Sequence, residues 1–328
     1  MKTYTTLRNL YGSMTNNSQT ANLTLGDQFI NDSIRTICNL QGGKLRFLES
    51  TTNMATVINQ ETYQIPNKYR KLMDIYVYSG SGSSSDTIYA PTLVFDPTLW
   101  KRILQYRMGT QDVPYFIYVE GTTYKIQPIP ATSGNLIVVR GRLNVRDLSI
   151  ADYTTGTIVS IDNGGTAIVG SGTTFTADMV GRYIKITQTT AANGGDGFWY
   201  EIGSYTSATE IGLVKPYEGT SIAAGSAAYT IGQVPVVPEA YQPAIIYRSV
   251  ALYWQQNDDL QRARTYWMMY DGGKEAGLND EYGGLILEML ENEGETEEGA
   301  YIPPFGTDSN IISGTPYYFP FQQATGLT

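Results

Sequence analysis

A chain of 328 residues with 41% apolar content can bury a sizeable core, and its length suits about two domains. With no histidine and a single cysteine, Cys38, it holds no Ser-His-Asp triad, thiol-imidazole pair, Cys/His zinc site or internal disulfide. The net charge of −9 is uneven: residues 1–155 carry 15 basic and 11 acidic side chains, 156–233 carry 3 and 6, 234–270 carry 3 and 3, and 271–328 carry 1 and 11.

The acidity is therefore C-terminal, and no part of the chain has the concentrated basic face of a sequence-reading DNA binder. The opening "MKTYTTLRNLYGSM" lacks an apolar stretch with a small-residue cleavage site, and no run of about 18 uninterrupted apolar residues follows. The expectation is a protein made in a cytoplasm, with no membrane partner and no span.

"NLTLGDQFINDSIRTICNL", residues 22–40, reads as the first helix. Thr24 and Asp27 match a capping box, Leu25, Phe29, Ile30, Ile34, Ile37 and Cys38 recur on one face, and Gly42-Gly43 stops the run. Cys38 on that stripe reads as a small core hydrophobe. From 45 to 78 the period changes to apolar-polar alternation with β-branched and aromatic residues, which predicts strands. "GSGSSSD" at 80–86 is a loop, and "DPTLWKRILQYR" at 96–107 a short helix with Asp96 before it and Pro97 at its first position. "PYFIYVEGTTYKIQPIP" and "GNLIVVRGRLNV" give three strands, the first two joined by a turn near Gly121. The last places Arg140 and Arg142 on one face, with Arg146 beyond, as a local salt-bridge cluster.

Residues 156–233 are rich in glycine and threonine, with short alternating runs at strand-and-turn spacing and no helical period. They predict a self-contained antiparallel module with a core from Ile158, Val169, Phe175, Ile184, Trp199 and Tyr229. Its "GGTAIVGSG" lacks the Gly-Lys-Ser/Thr and the helix that a phosphate loop needs. Asp196, Trp199, Tyr200 and Glu201 would suit a strand that contacts a glycan, against a plain reading as an aromatic core pair flanked by surface acids. Helix returns at "PEAYQPAIIYRSVALYWQQ", with Pro243 in its first turns and Ile246, Val250, Tyr253 and Trp254 on one side. Asn257, Asp258 and Asp259 break it and cap "LQRARTYWMMYDGG", which ends at Gly272-Gly273, giving an αα-hairpin. Six glutamates between 288 and 298 precede a non-periodic tail whose Tyr301, Phe305, Tyr317, Tyr318, Phe319 and Phe321 are candidates for docking on a partner. Carboxylate pairs are the only acid-base device left, and this glutamate run reads as a solvated cluster rather than a catalytic pair.

Several of these stretches together resemble the head-to-tail connector, or adaptor, proteins of tailed bacteriophages. The helix "LGDQFINDSIRTIC" followed by "YQIPNKYRKLMDIYVYSG" is similar to their N-terminal pattern, and "YFIYVEGTTYKIQPIPATSGNLIVVRGR" to their aromatic hairpin. "GTAIVGSGTTFTADMVGRYIKI" with "WYEIGSYTSATEIGLVKPYEG" looks like the β module inserted in many members, and "VPEAYQPAIIYRSVALYWQQNDDLQRARTYW" like their last helices. The resemblance covers the chain to about residue 290 and rests on the order of the motifs.

It implies an α+β fold: a helical adaptor core with β-hairpins, an inserted small antiparallel β domain and an extended C-terminal tail. The divisions would be 1–155 and 234–290 for the core, 156–233 for the inserted domain and 291–328 for the acidic and aromatic tail. It implies a structural virion protein at the head-tail junction, not an enzyme, with no cofactor, metal or catalytic residue. Its partners would be the portal protein, a tail tube or nozzle protein and neighbouring copies in a ring of twelve, with genomic DNA passing through. Glu291, Glu293 and Glu295 are then candidates to face the channel. The alternatives are a virion-associated glycan-binding or glycan-cleaving protein and another tail component.

Overall fold

The computed structural model describes residues 1–83, 86–105, 110–111, 113–188, 194–223 and 226–293. The chain opens with helix α1 (Tyr4–Met14), capped by Thr3, whose Oγ1 accepts from the Thr6 amide. Helix α2 (Thr20–Asn39) starts earlier than its sequence suggests. Thr24 lies one turn inside it and donates its hydroxyl back to the Thr20 carbonyl, while Asp27 pairs with Arg8 across to α1. The predicted capping box is thus a mid-helix pair, because Asn17, which accepts from the Gln19 amide, already orders the approach to the helix. The stripe Ile30, Ile34, Ile37 and Cys38 is buried as expected, and the chain leaves the helix through left-handed Gln41 and Gly42.

Strands β1 (Glu49–Ala55), β2 (Thr62–Gln64), β3 (Tyr69–Tyr78), β4 (Ile88–Tyr89) and β5 (Thr92–Val94) follow, then helix α3 (Pro97–Gln105). After it come β6 (Thr110–Gln111), β7 (Phe116–Glu120), β8 (Thr123–Gln127), β9 (Ile129–Pro130) and β10 (Leu136–Leu143). They form two four-stranded sheets, in the orders β1-β10-β3-β4 and β2-β8-β7-β5, and a short β6-β9 pair. Alternation turns Ile75, Val77, Ile137 and Val139 of the first sheet toward Tyr63, Ile117, Tyr124 and Ile126 of the second, and these side chains share one core. Tyr63 and Tyr124 stack at 5.5 Å between ring centroids. Helix α3 covers the outer side of the second sheet, with Trp100 stacked on Tyr118 at 5.3 Å. Asp96 accepts from the Thr98 amide before α3, as Asp-Pro predicts.

Six further strands, β11 (Thr157–Ser160), β12 (Ala167–Ser171), β13 (Tyr183–Ile186), β14 (Trp199–Ser207), β15 (Glu210–Leu213) and β16 (Tyr229–Gly232), run in the order β11-β12-β15-β14-β13-β16. Ile158 also bridges to Ala227, and Ile161 to Ile222, so β11 returns to the segment that leads into β16 and the sheet closes on itself. With the bridge from Tyr153 to Ile231, these contacts cover the outer edges of β11 and β16 among the described residues. Ile158, Phe175, Ile184 and Tyr229 fill the interior as expected. Val169 and Trp199 do not. Val169 faces out and Ile168 in, and Trp199 is half-buried while Tyr200 is buried. Each pair offers two adjacent apolar residues, and the pairing of β12 with β15 and of β13 with β14, not composition, selects which one points inward.

The chain returns through helices α4 (Gln242–Gln256), α5 (Leu260–Asp271) and α6 (Gly284–Glu293). Asp259 caps α5 by accepting from the Arg262 amide, and Gly272 ends it at φ +75°, a left-handed conformation that glycine adopts without strain. These helices pack on α1 and α2 in one core that includes Leu7, Tyr11, Ile34, Ile245, Val250, Trp267 and Ile286. The closest approach is at Gly26, where an added Cβ would lie 2.4 Å from the Tyr11 ring. Because that ring is fully buried, it has little room to move. Gly26→Ala should lower stability by about 1–3 kcal/mol, read as a shift of the urea unfolding midpoint.

Candidate assembly surfaces

The helical cluster is fastened at its centre by charge. Arg248 on α4, almost fully buried, donates from Nε and Nη2 to Glu275 and from Nη1 to Asp32 on α2 at 2.6 Å. Burial opposes its charge, yet the two carboxylates more than offset that and raise its pKa. Beside it Ser33 and Ser249 share a buried hydrogen bond of 3.0 Å, and Asp271 accepts from the amides of Gly273 and Glu275, fixing the turn that presents Glu275. Sequence reasoning missed this group, since Asp32, Arg248 and Glu275 belong to segments far apart in the chain.

A neck joins the closed barrel to the rest. The Tyr4 amide donates to the Gln233 carbonyl, the Gln233 side chain accepts from the amides of Ser149 and Ile150, and Thr3 donates to Asp152. Both connections of the barrel are therefore tied to the start of α1. Beside the neck lies an open cleft of about 820 Å³ between barrel and base. Its walls include Met1, Ile150, Val180 and Val214, four of the exposed large apolar side chains, together with Arg146 and Arg182. Nothing in the local sequence signals this cleft, because its walls come from eight separate segments.

The residues singled out from sequence are dispersed. Glu291 is exposed on α6 and Glu293 is half-buried at its end. Two positions apart on a helix they point about 200° away from each other, so the exposed acidic ridge is Glu288 with Glu291, beside Leu287. Glu295, Tyr301, Phe305, Tyr317, Tyr318, Phe319 and Phe321 lie outside the described residues. Arg140 pairs with Glu49, whereas Arg142 is buried and Arg146 exposed. The predicted shared face of Arg140 and Arg142 is lost because the β10-β3 register shifts between Arg140 and Gly141.

Chemistry is equally dispersed. Among the described residues no three of His, Cys, Asp and Glu come together as a metal site, and no helix is long and apolar enough to cross a membrane. Tyr200 donates to Asp196 at 2.5 Å, and burial together with that carboxylate pushes its phenol up to about 12. Trp199 carries the Lys185 ammonium over its ring at 5.2 Å, so its face is already occupied. The glycine-rich stretch at 164–172 makes turns around β12, with no helix to receive a phosphate.

Two measurements check these assignments. Arg248→Ala should cost about 3 kcal/mol, near the lower end for a broken buried ion pair because Asp32 is half-exposed, and the urea midpoint reads it. Cys38 is fully buried and burial pushes its thiol up to about 12. A buried thiol whose ionisation is disfavoured reacts only when the fold opens, so a thiol reagent should modify Cys38 far more slowly than a free thiol, at a rate that rises steeply as urea is added.

A family model described as SU10 adaptor protein matches residues 2–168, just over half of the chain, running from α1 through both four-stranded sheets into β12. No curated protein matches the sequence. Because that match spans more than half of the sequence, the chain belongs to the SU10 adaptor protein family, a family of phage structural adaptors consistent with the head-to-tail resemblance of its sequence.

Proposed function

We propose that this protein is the head-to-tail adaptor of a tailed phage: twelve copies form a ring under the portal protein, extend the DNA channel and give the tail tube or nozzle protein its platform. The family match is the observation that carries this reading. A ring built from one repeated contact closes without a second protein type, which is the economical way to match a symmetric portal. On this reading the protein is made in the host cytoplasm and ends in the virion, and it acts by docking rather than by catalysis.

The parts then take separate roles. The helices and paired sheets, residues 1–155 and 234–290, make the ring, and the barrel, 156–233, projects from it toward a neighbour or tail component. The neck supports this division, since two short connections carry the barrel while its core draws on its own strands. The acid-rich end of the chain lies toward the channel, where like charge repels DNA and lets it slide; Glu291 takes part through the exposed ridge it shares with Glu288, while Glu293, on the other side of α6, and Glu295 beyond it add to the local negative charge. The aromatic segment, with Tyr301, Phe305, Tyr317, Tyr318, Phe319 and Phe321, gains its burial by docking instead of packing on itself.

Native mass spectrometry of the purified protein mixed with the portal protein of the same genome should show a stoichiometric ring on the portal. A chain that stays monomeric in that mixture overturns the reading. Removing 156–233 should spare the ring and block the later addition of tail components. Reversing charge at Glu291, Glu293 and Glu295 together should slow DNA ejection from assembled particles, measured by dye release from the packaged genome.

A further inference from the structure

We propose that residues 301–305, Tyr-Ile-Pro-Pro-Phe, seat in the cleft between barrel and base of their own chain, wedging the barrel at a fixed angle. The inference rests on the reading that the aromatic segment docks, and it names the site of the first two aromatics.

Three observations carry it. The first is the character of the cleft. Met1, Ile150, Val180 and Val214 are 40%, 38%, 41% and 54% exposed, and all four converge on this one cavity beside Val145 and Val236. Exposed apolar side chains scattered singly need no explanation, but a converging set marks a binding surface. The second is where the described chain ends. Asn292, in the last turn of α6, donates to the Tyr241 hydroxyl at 3.0 Å, and Tyr241 closes the short turn Glu239–Tyr241 whose first residue lines the cleft. The chain therefore leaves α6 beside the cleft wall. The third is reach and size. Tyr301 is eight positions beyond Glu293, a stretch that spans at most about 26–29 Å when extended, and a volume of about 820 Å³ lies in the range that takes a compact ligand.

Charge is permissive. Arg146 and Arg182 line the cleft with no carboxylate partner among the described residues, and Glu295, Glu297 and Glu298 immediately precede the segment. Asp147, Asp178, Glu201 and Glu239 also line the cleft, against Lys68, Arg146, Arg182 and the Met1 ammonium, so the lining is close to neutral and its apolar residues carry the fit. The two prolines favour an extended conformation and reduce the entropy lost on docking. The wedge couples the barrel's angle to the path of the tail.

The test uses the full chain with Val214→Cys, Cys38 being buried and slow to react. Maleimide labelling of Val214→Cys should be about tenfold slower in the full chain than in one ending at residue 300, with slow Cys38 modification showing that both are folded. Adding Gly306→Cys should give an intrachain disulfide on mild oxidation, whereas Ala324→Cys should not. Equal labelling rates in the two chains overturn the proposal, as does a disulfide that links two copies. If labelling is equal while Ala324→Cys still cross-links to portal or tail protein, docking of the aromatic segment stands and this site for it fails.

Discussion

Arg248 holds together helices that the chain makes almost at its two ends. Its guanidinium joins α4 to Asp32 on α2 and to Glu275 after α5, and the Ser33-Ser249 contact lies beside it. A buried guanidinium is stable only when its partners are in place, so α2, α4 and the turn after α5 must assemble together. Once they do, the chain between residues 40 and 240 has to depart from the helical cluster and come back to it. The paired sheets and the barrel are therefore excursions from a base that closes around this ion group.

That constraint explains the neck. The barrel's outgoing and returning connections both run past the start of α1, where Thr3, Tyr4, Asp152 and Gln233 bind each other. A module held at one place and filled by its own isoleucines can be large without disturbing the helices. Its bridged sheet also covers strand edges that would otherwise be open to pairing. Beside the same attachment lies the cleft, lined by residues of both barrel and base.

For an adaptor this layout separates duties. Exposed apolar side chains gather at the cleft, where Leu148 and Val237 of the helical core and Ile202 of the barrel core also reach its walls. The acid-rich end of the chain lies with α6, away in sequence from the basic N-terminal half. Catalysis would need groups brought together, and the described residues show polar pairs that serve structure: Asp196 for Tyr200, Glu49 for Arg140, Asp271 for the turn after α5.

Most elements were legible in the sequence because their signals are local. Asp259 and Gly272 bound α5 by capping, Pro97 opens α3, and alternation marks the strands of the paired sheets and the barrel. Local signals failed where two readings share the same residues. Thr24 looks like a cap but lies mid-helix, Val169 and Ile168 compete for one inward position, and the Arg140 and Arg142 phase is broken by a register shift that only the partner strand imposes. Helix α1 carries few of the marks that reveal a helix and is secured by Thr3 and by packing on α2. The sequence by itself determined the mixed fold and the family likeness, since alternation, caps and motif order are properties of neighbouring residues. Tertiary structure alone decided the Arg248 group, the closure of the barrel and the apolar cleft, because each depends on side chains brought together from segments tens to hundreds of residues apart.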